Sequence, residues 1–251
     1  MAYVGGKSRG FEHITSILNA PCFDNMDYVE PFVGYAHILR RIKNKRSVAA
    51  SDSNRLLITL LSNVKNGGEH PVIDADEYAK LRKRYRENGR TDDVRMAYAA
   101  FCYSYNGKEF GGYTGEKHGR NYPRERMTYY DTKLRTSPAF NACSLECKDY
   151  KLLEPSGCVV YCDPPYANTT DYKSDFDHGE FWDTMRSWSR KNAVFISEYT
   201  APDDFVLLTQ CVKLSSLAGK GASDARIEKL FVHKSFLNTH FYRELRSQKY
   251  I

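Results

Sequence analysis

At 251 residues the chain has room for one large domain, or one domain with a sizeable insertion, and for a core that needs no disulfide staple. Its 37 basic residues exceed its 31 acidic ones by six, which suits a polyanionic partner but excludes a polycationic tail. Seven cysteines with no Cys-x-x-Cys pair and no completing histidine cluster exclude a zinc knuckle, and no apolar run approaches the ~18 residues of a membrane helix.

Short apolar strands alternate with amphipathic stretches, which predicts an α/β fold with a largely parallel sheet. The start, Met1 to Lys7, lacks the apolar core of a secretory signal, so reduced, mostly buried thiols in a cytoplasmic setting are expected. Tyr28-Val29 leads into Glu30-Pro31-Phe32-Val33-Gly34 as a strand ending in a turn, and Ala36 to Lys43 follows as a helix-like run. Ser47 to Ala50 reads as a second strand that ends at Ser51-Asp52.

Residues 78–135 differ in composition: 14 lysines and arginines against 7 acidic residues, with nine of the chain's 19 tyrosines. Helical spacing runs from Ala75 to Glu87 and from Asp92 to Tyr103, and the Gly- and Tyr-rich stretch Asn106 to Gly115 reads as hairpins or loops. The segment is expected to be an insertion between the second and third core strands. Basic groups interleaved with aromatics supply charge for phosphates and π-faces for bases. A solvated helical subdomain with core tyrosines has the same composition, and both readings stand at this point. Val159 to Cys162 is the third strand, Phe181 to Lys191 a helix, Ala193 to Ser197 a fourth strand, and Arg226 to His233 another.

The third strand runs straight into Asp163-Pro164-Pro165-Tyr166. Ligands of open α/β sheets bind at the carboxyl ends of strands. Two prolines remove two N–H donors and stiffen the turn, leaving its carbonyls free to accept. An aromatic amine is a poor nucleophile because its lone pair is delocalised into the ring. Acceptors on its two N–H groups favour a tetrahedral nitrogen, and the Asp163 carboxylate with a proline carbonyl can supply them while Tyr166 stacks on the base. A plain strand-ending turn has the same look. An apolar strand before it and a cofactor-type glycine upstream favour the chemical reading. Gly34 allows close backbone approach by a cofactor. Eighteen residues later, Asp52 ends the second strand, where a carboxylate can accept from ribose hydroxyls. Taken singly, each also reads as a turn glycine or a helix cap. No Gly-x-Gly-x-x-Gly is present, which counts against a dinucleotide. Tyr3-Val4-Gly5-Gly6-Lys7 offers paired glycines and a lysine able to neutralise a carboxylate.

In these residues the chain resembles the Dam-type adenine-specific DNA methyltransferases of the alpha motif order, in which the cofactor motif, an inserted target-recognition region and Asp-Pro-Pro-Tyr follow in turn. The resemblance spans nearly the whole chain. It aligns Tyr3 to Lys7, Glu30 to Gly34 and Asp52 with the family's cofactor elements, Asn106-Gly107 with a motif before the DNA-contacting hairpin, and Cys147 to Tyr150 with the segment packing the cofactor adenine. Tyr35 and Ala36 stand where the family often has further glycines. Thr169 to Tyr172, Phe176 to His178 and Phe195 to Pro202 resemble phage and viral methylases, and Arg226 to Leu230 the family's last core strand.

The resemblance implies a Rossmann-like S-adenosylmethionine-dependent methyltransferase domain over 1–62 and 141–251, with a helical and hairpin target-recognition subdomain inserted over 63–140. It implies Asp163, Pro164, Pro165 and Tyr166 as catalytic. Tyr3, Gly6, Lys7, Glu30, Phe32, Gly34, Asp52, Asp149, Tyr150 and Asp163 are expected at the cofactor. Asn106, Lys108, Tyr113, Lys117, Arg120, Asn121, Arg124 and Arg126 are expected at DNA, as base readers or phosphate contacts. The expected reaction is direct displacement from S-adenosylmethionine onto the N6 of a flipped adenine, yielding S-adenosylhomocysteine without a metal. Cytosine in DNA, adenine in RNA and an idle DNA-binding relative are the alternatives; related enzymes acting on cytosine more often have Ser, and RNA or glutamine methylators often Asn, in place of Asp163. Double-stranded DNA is the expected partner and a membrane is not; a monomer or weak homodimer is expected, and no residue pattern signals a cognate restriction endonuclease.

Overall fold

In the computed structural model, which describes residues 11–117, 119–165, 176–214 and 225–251, the first half of the chain forms α1 (Phe11–Leu18), β1 (Asp27–Glu30), β2 (Ser47–Asp52), α2 (Arg55–Lys65), α3 (Ala75–Asn88), α4 (Val94–Phe101), β3 (Glu116–Lys117), β4 (Arg120–Asn121) and α5 (Tyr122–Tyr129). The second half forms α6 (Pro138–Ala142), β5 (Ser144–Cys147), β6 (Cys158–Cys162), α7 (His178–Trp188), β7 (Ala193–Glu198), β8 (Phe205–Leu214), β9 (Ala225–His233) and α8 (His240–Ser247). Seven strands form one sheet in the order β5-β2-β1-β6-β7-β9-β8, and β3 and β4 make a separate hairpin. Internal contacts divide the chain into two compact units, one of Val33–Arg41 with Ala50–Tyr150, the other of 11–32, Ile42–Ala49 and Lys151–Ile251.

In the second unit, β6 pairs in parallel with β1 and with β7, while β9 runs antiparallel to β7 and β8. Strand β6, with parallel partners on both edges, and its neighbour β7 have no wet face, and the sequence says so: all five residues of Cys-Val-Val-Tyr-Cys and all six of Ala-Val-Phe-Ile-Ser-Glu are buried. Phe195 packs edge-on against Phe23 and Phe236, closing the core towards α8. In the first unit, α2 and α3 both pack on α4. The six buried apolar side chains of α2 each stabilise by about 1.5–3 kcal/mol over exposure. Helix starts are set locally: Asn54, Asp74, Asp93, Asn121, Ser137, Asp177 and Thr239 each accept a first-turn N–H. Among the described residues no helix is long and apolar enough to cross a membrane.

Two expected elements change. Ala36 to Lys43 is not an α-helix but a turn followed by one 3₁₀ turn at Leu39–Arg41. Ala36 takes a left-handed backbone (φ 56°), which breaks the helical path. Val33 and the unbroken run Tyr35 to Leu39 are all buried, which leaves no polar face for an amphipathic helix. The helix expected over Phe181 to Lys191 starts three residues earlier, because Asp177 accepts the Glu180 N–H and fixes the first turn at His178. The structure also adds α1, α2, β5, β8 and α8, which the apolar pattern had not been used to assign.

Candidate functional site

The first unit holds a glycine turn and a strand-end carboxylate. Gly34 lies at φ +49°, a conformation side chains resist, and a Cβ built there meets nothing within 4 Å, so the space in front of it is open. Its N–H donates to Asp52 Oδ2 (3.2 Å), while the Asn54 N–H donates to Asp52 Oδ1 (2.9 Å). Both carboxyl oxygens are thereby oriented, and each keeps a lone pair for a further donor. Burial pushes the Asp52 carboxyl pKa up; the two backbone N–H bonds and Arg90 act against this, and Glu109 adds to it. Just before it, Ser51 Oγ is buried with no hydrogen-bond partner among the described residues. The Lys148 N–H donates to the Asp52 carbonyl (3.1 Å), which brings the segment carrying Asp149 and buried Tyr150 to the same strand end.

The second unit holds the tetrapeptide's described part. Asp163 leaves β6 partly exposed, Pro164 is buried and Pro165 partly exposed. On neighbouring β1, Glu30 is buried and its Oε2 accepts from the Tyr28 hydroxyl (2.6 Å). Burial, then the Glu30 carboxylate, raises the Tyr28 phenol far above its ordinary range. The Cys162 thiol is likewise pushed up by burial and then by Glu30 and Asp163. Glu30 and Asp163 thus stand at the ends of the paired strands β1 and β6. Phe32 packs edge-on against Phe176 and Phe181, so it anchors the turn after Glu30. Tyr3, Gly6, Lys7 and Tyr166 lie outside the described residues, as do Thr169 to Tyr172.

The residues expected at DNA fall into distinct environments. Asn106 sits at φ 53° in a 3₁₀ turn, with Lys108 exposed beyond it. Tyr113 is 40% exposed and stacks on Tyr103 with 10° between the rings. The Lys117 backbone forms β3; its side chain lies outside the described set. Arg120 is exposed and held in a two-point ion pair by Glu125 (2.9 and 2.7 Å), Asn121 caps α5, and Arg124 is exposed. Arg126 is a correction. It is buried, and its Nη1 donates to the carbonyls of Phe101, Cys102 and Ser104. Phe101 and Cys102 stand at the end of α4, which leaves their carbonyls without helical partners, and Ser104 lies just beyond, so Arg126 is a buried cap on this helix end and not the exposed cation that was expected.

One network was not read from the sequence. Glu109 Oε2 accepts from Asn54 Nδ2 (2.8 Å), and Arg90 grips both Glu109 oxygens (2.9 and 3.0 Å). Asn54 caps the apolar helix α2, and its Glu109 partner lies 55 residues away, where no local signal reaches. Among the described residues no group of three or more His, Cys, Asp or Glu could hold a metal.

A sequence profile described as D12 class N6 adenine-specific DNA methyltransferase matches residues 3–204. The Type II methyltransferase M.FokI of Planomicrobium okeanokoites is 23% identical over 216 residues, covering 75% of this chain and 31% of that protein. The chain thus spans less than a third of the length of that curated relative. Among solved structures, the rRNA methyltransferase aviRa from Streptomyces viridochromogenes aligns with 93% of this chain and 88% of its own, at 15% identity and a TM-score of 0.37. With the glycine turn, the strand-end Asp52 and the Asp-Pro-Pro turn all inside a match covering most of its length, the chain belongs to the D12 class N6 adenine-specific DNA methyltransferase family.

Proposed function

We propose that the protein transfers a methyl group from S-adenosylmethionine to the exocyclic N6 of adenine in double-stranded DNA. In this reading it is a Dam-type enzyme of the alpha motif order, related to phage methylases, acting in the cytoplasm as a monomer or weak dimer, with residues 63–140 as the target-recognition insertion. The observation that carries the proposal is Asp163-Pro164-Pro165 leaving a fully buried parallel strand, within the matched family region.

The residues present suit the cofactor. Open space at Gly34, a desolvated and pre-oriented Asp52 carboxylate, and the Ser51 hydroxyl, which has no partner among the described residues, suit a ribose with its hydroxyl donors. In the second unit, Glu30 and Asp163 place two carboxyl groups at the ends of the paired strands β1 and β6, which suits a cation. Tyr3, Gly6, Lys7, Phe32, Asp149 and Tyr150 complete the assigned cofactor residues. S-adenosylmethionine supplies an electrophilic methyl on a sulfonium.

The chain's own work is positioning. A base in a duplex cannot present its amine to a buried donor, so the adenine is flipped. The Asp163 carboxylate and the Pro164 carbonyl accept the two N–H groups and draw the nitrogen towards a tetrahedral, nucleophilic state. The proline pair keeps these acceptors fixed, so little reorganisation is needed as charge develops. Tyr166 stacks on the ring. Direct displacement needs no cysteine nucleophile, and two of the thiols are poorly suited to be one: Cys102 is pushed up to about 12 and Cys162 is raised well above its usual range, both first by burial. Tritium transfer from labelled cofactor to a mixed-sequence duplex, followed by nucleoside analysis, should place the label in N6-methyladenine. Label in cytosine, or label transferred to RNA in preference to DNA, would overturn the proposal.

A further inference from the structure

The loop expected to approach DNA is held by Tyr35 and Asn54, which adjoin two residues expected at the cofactor, Gly34 and Asp52. Within the first unit, the Tyr35 hydroxyl donates to the Gly107 carbonyl (3.3 Å). Glu109, two residues further on, accepts from Asn54 (2.8 Å), whose own N–H donates to Asp52 (2.9 Å). Asp52 in turn accepts from Gly34 (3.2 Å), the neighbour of Tyr35. The circuit is closed: residues 34–35, 107–109, 54 and 52 are linked by four hydrogen bonds and short stretches of backbone.

The loop in this circuit is strained. Asn106 (φ 53°) and Phe110 (φ 47°) both take left-handed backbone. Asn tolerates it, whereas for Phe it costs about 1–2 kcal/mol. Packing offsets that cost: the Phe110 ring is buried 4.7 Å from Tyr85 and 5.6 Å from Tyr78, and its N–H donates to the Ala100 carbonyl (3.1 Å). The loop exposes Tyr105 (60%), just before Asn106, and the Lys108 side chain between Asn106 and Phe110. Arg90 clamps Glu109 through both oxygens, so Glu109 is held in the geometry that reaches Asn54. Asp52 feels both charges of that pair, Arg90 favouring its carboxylate and Glu109 opposing it.

We propose that Glu109 and Tyr35 are positioning residues that tie the Asn106–Gly107 turn to Gly34 and Asp52, so that cofactor and DNA each favour binding of the other through this loop. The inference rests on the function proposed above. A ligand that fixes Asp52 and Gly34 holds the far ends of the circuit and lowers the cost of ordering the loop. A duplex that holds the loop returns the same free energy to the cofactor site, because linkage is reciprocal.

The test is a thermodynamic box on the full chain. Calorimetry measures S-adenosylhomocysteine affinity without and with an adenine-containing duplex. Wild type should bind the product more tightly with DNA present, by a factor in the range of about 5–150 typical of linked sites. Glu109→Ala and Tyr35→Phe should bring that factor towards one, each factor being taken relative to the same variant's product affinity without DNA, which the loss of the Glu109 charge beside Asp52 is free to shift. Glu109→Gln, which keeps an acceptor for Asn54, should retain most of it. A merely structural role would lower the melting temperature without moving the factor. Should Glu109→Ala fail to fold, Tyr35→Phe, which loses one hydroxyl, still decides. A wild-type factor of one, or an unchanged factor in Glu109→Ala or Tyr35→Phe, overturns the tie while leaving the methyltransferase reading intact. Wild type that binds product and duplex yet methylates no adenine overturns the functional reading, and with it the tie.

Discussion

Asp163 is a carboxylate on a rigid stalk: the strand beneath it is buried at every position, and the two residues after it cannot donate backbone hydrogen bonds. Replacing Asp163 with Ala removes one of two acceptors for the amine and leaves the strand and the prolines in place. Methyl transfer should fall by about 100-fold or more, the scale set by deleting one preorganised polar group at a reacting centre. Duplex affinity, read by fluorescence anisotropy, should stay near wild type. Near-normal turnover in Asp163→Ala would remove the assigned role. This residue was legible in the sequence because everything that defines it is local. So were the turn at Gly34, which follows β1, and the end of β2 at Asp52. Arg126 was misread for the complementary reason. It lies in a basic, tyrosine-rich segment beside exposed Arg124, and composition cannot separate a guanidinium facing water from one turned onto three carbonyls.

At the level of elements, α3 and α4 were legible from helical spacing, and the structure shows the caps that start them, Asp74 and Asp93. The stripe at Leu56, Leu57, Leu60, Leu61 and Val64 behind Asn54 carries the same signal for α2. What was not legible depends on partners distant in sequence: β8 exists as the mate of β9, and the path after Gly34 is set by burial of every residue from Tyr35 to Leu39. The cap on α4 shows what such partners contribute. Arg126→Ala would strand buried carbonyls and should destabilise the fold by about 2–3 kcal/mol in urea titrations. Loss of DNA affinity with unchanged stability would instead return Arg126 to the nucleic-acid surface. Strand β1 supplies a pH-dependent counterpart. Arg46 and then Ser47, at the start of β2, hold the Asp27 carboxyl at about 2 by hydrogen bonding. A folded pKa below the unfolded value of roughly 3.9 contributes stability above that value and loses it as pH falls towards 2. Wild-type stability should therefore drop more steeply than that of Asp27→Asn between about pH 4 and 2, and parallel acid titrations of the two would refute the linkage.

For the molecule as a whole the relevant quantity is charge. The net of +6 is carried by a chain whose segment 78–135 alone holds 14 basic and 7 acidic residues, yet many of those guanidiniums are already engaged. Arg84 pairs with Asp93, Arg90 with Glu109, Arg95 with Glu77, Arg120 with Glu125 and Arg135 with Asp131. The count of positive residues therefore overstates the count of phosphate contacts. Of the cations assigned to DNA, removing Arg126 leaves Lys108, Lys117, Arg120 and Arg124. If each neutralises one phosphate, the logarithm of duplex affinity should fall against the logarithm of salt with a slope of about −3.6. Arg124→Ala should lower the magnitude of that slope by about 1, and Arg126→Ala should leave it unchanged where the variant is folded. Arg120 is the informative case, because Glu125 and a phosphate compete for the same two-point grip. In Glu125→Gln the guanidinium no longer has to leave a carboxylate, so the duplex should bind more tightly, most of all at low salt where the competing charges are least screened. Equal affinity of Glu125→Gln and wild type across the salt series would mean that Arg120 stays on Glu125 when DNA is bound. The basic excess would then steer the polyanion towards the protein, with the contacts made by other residues.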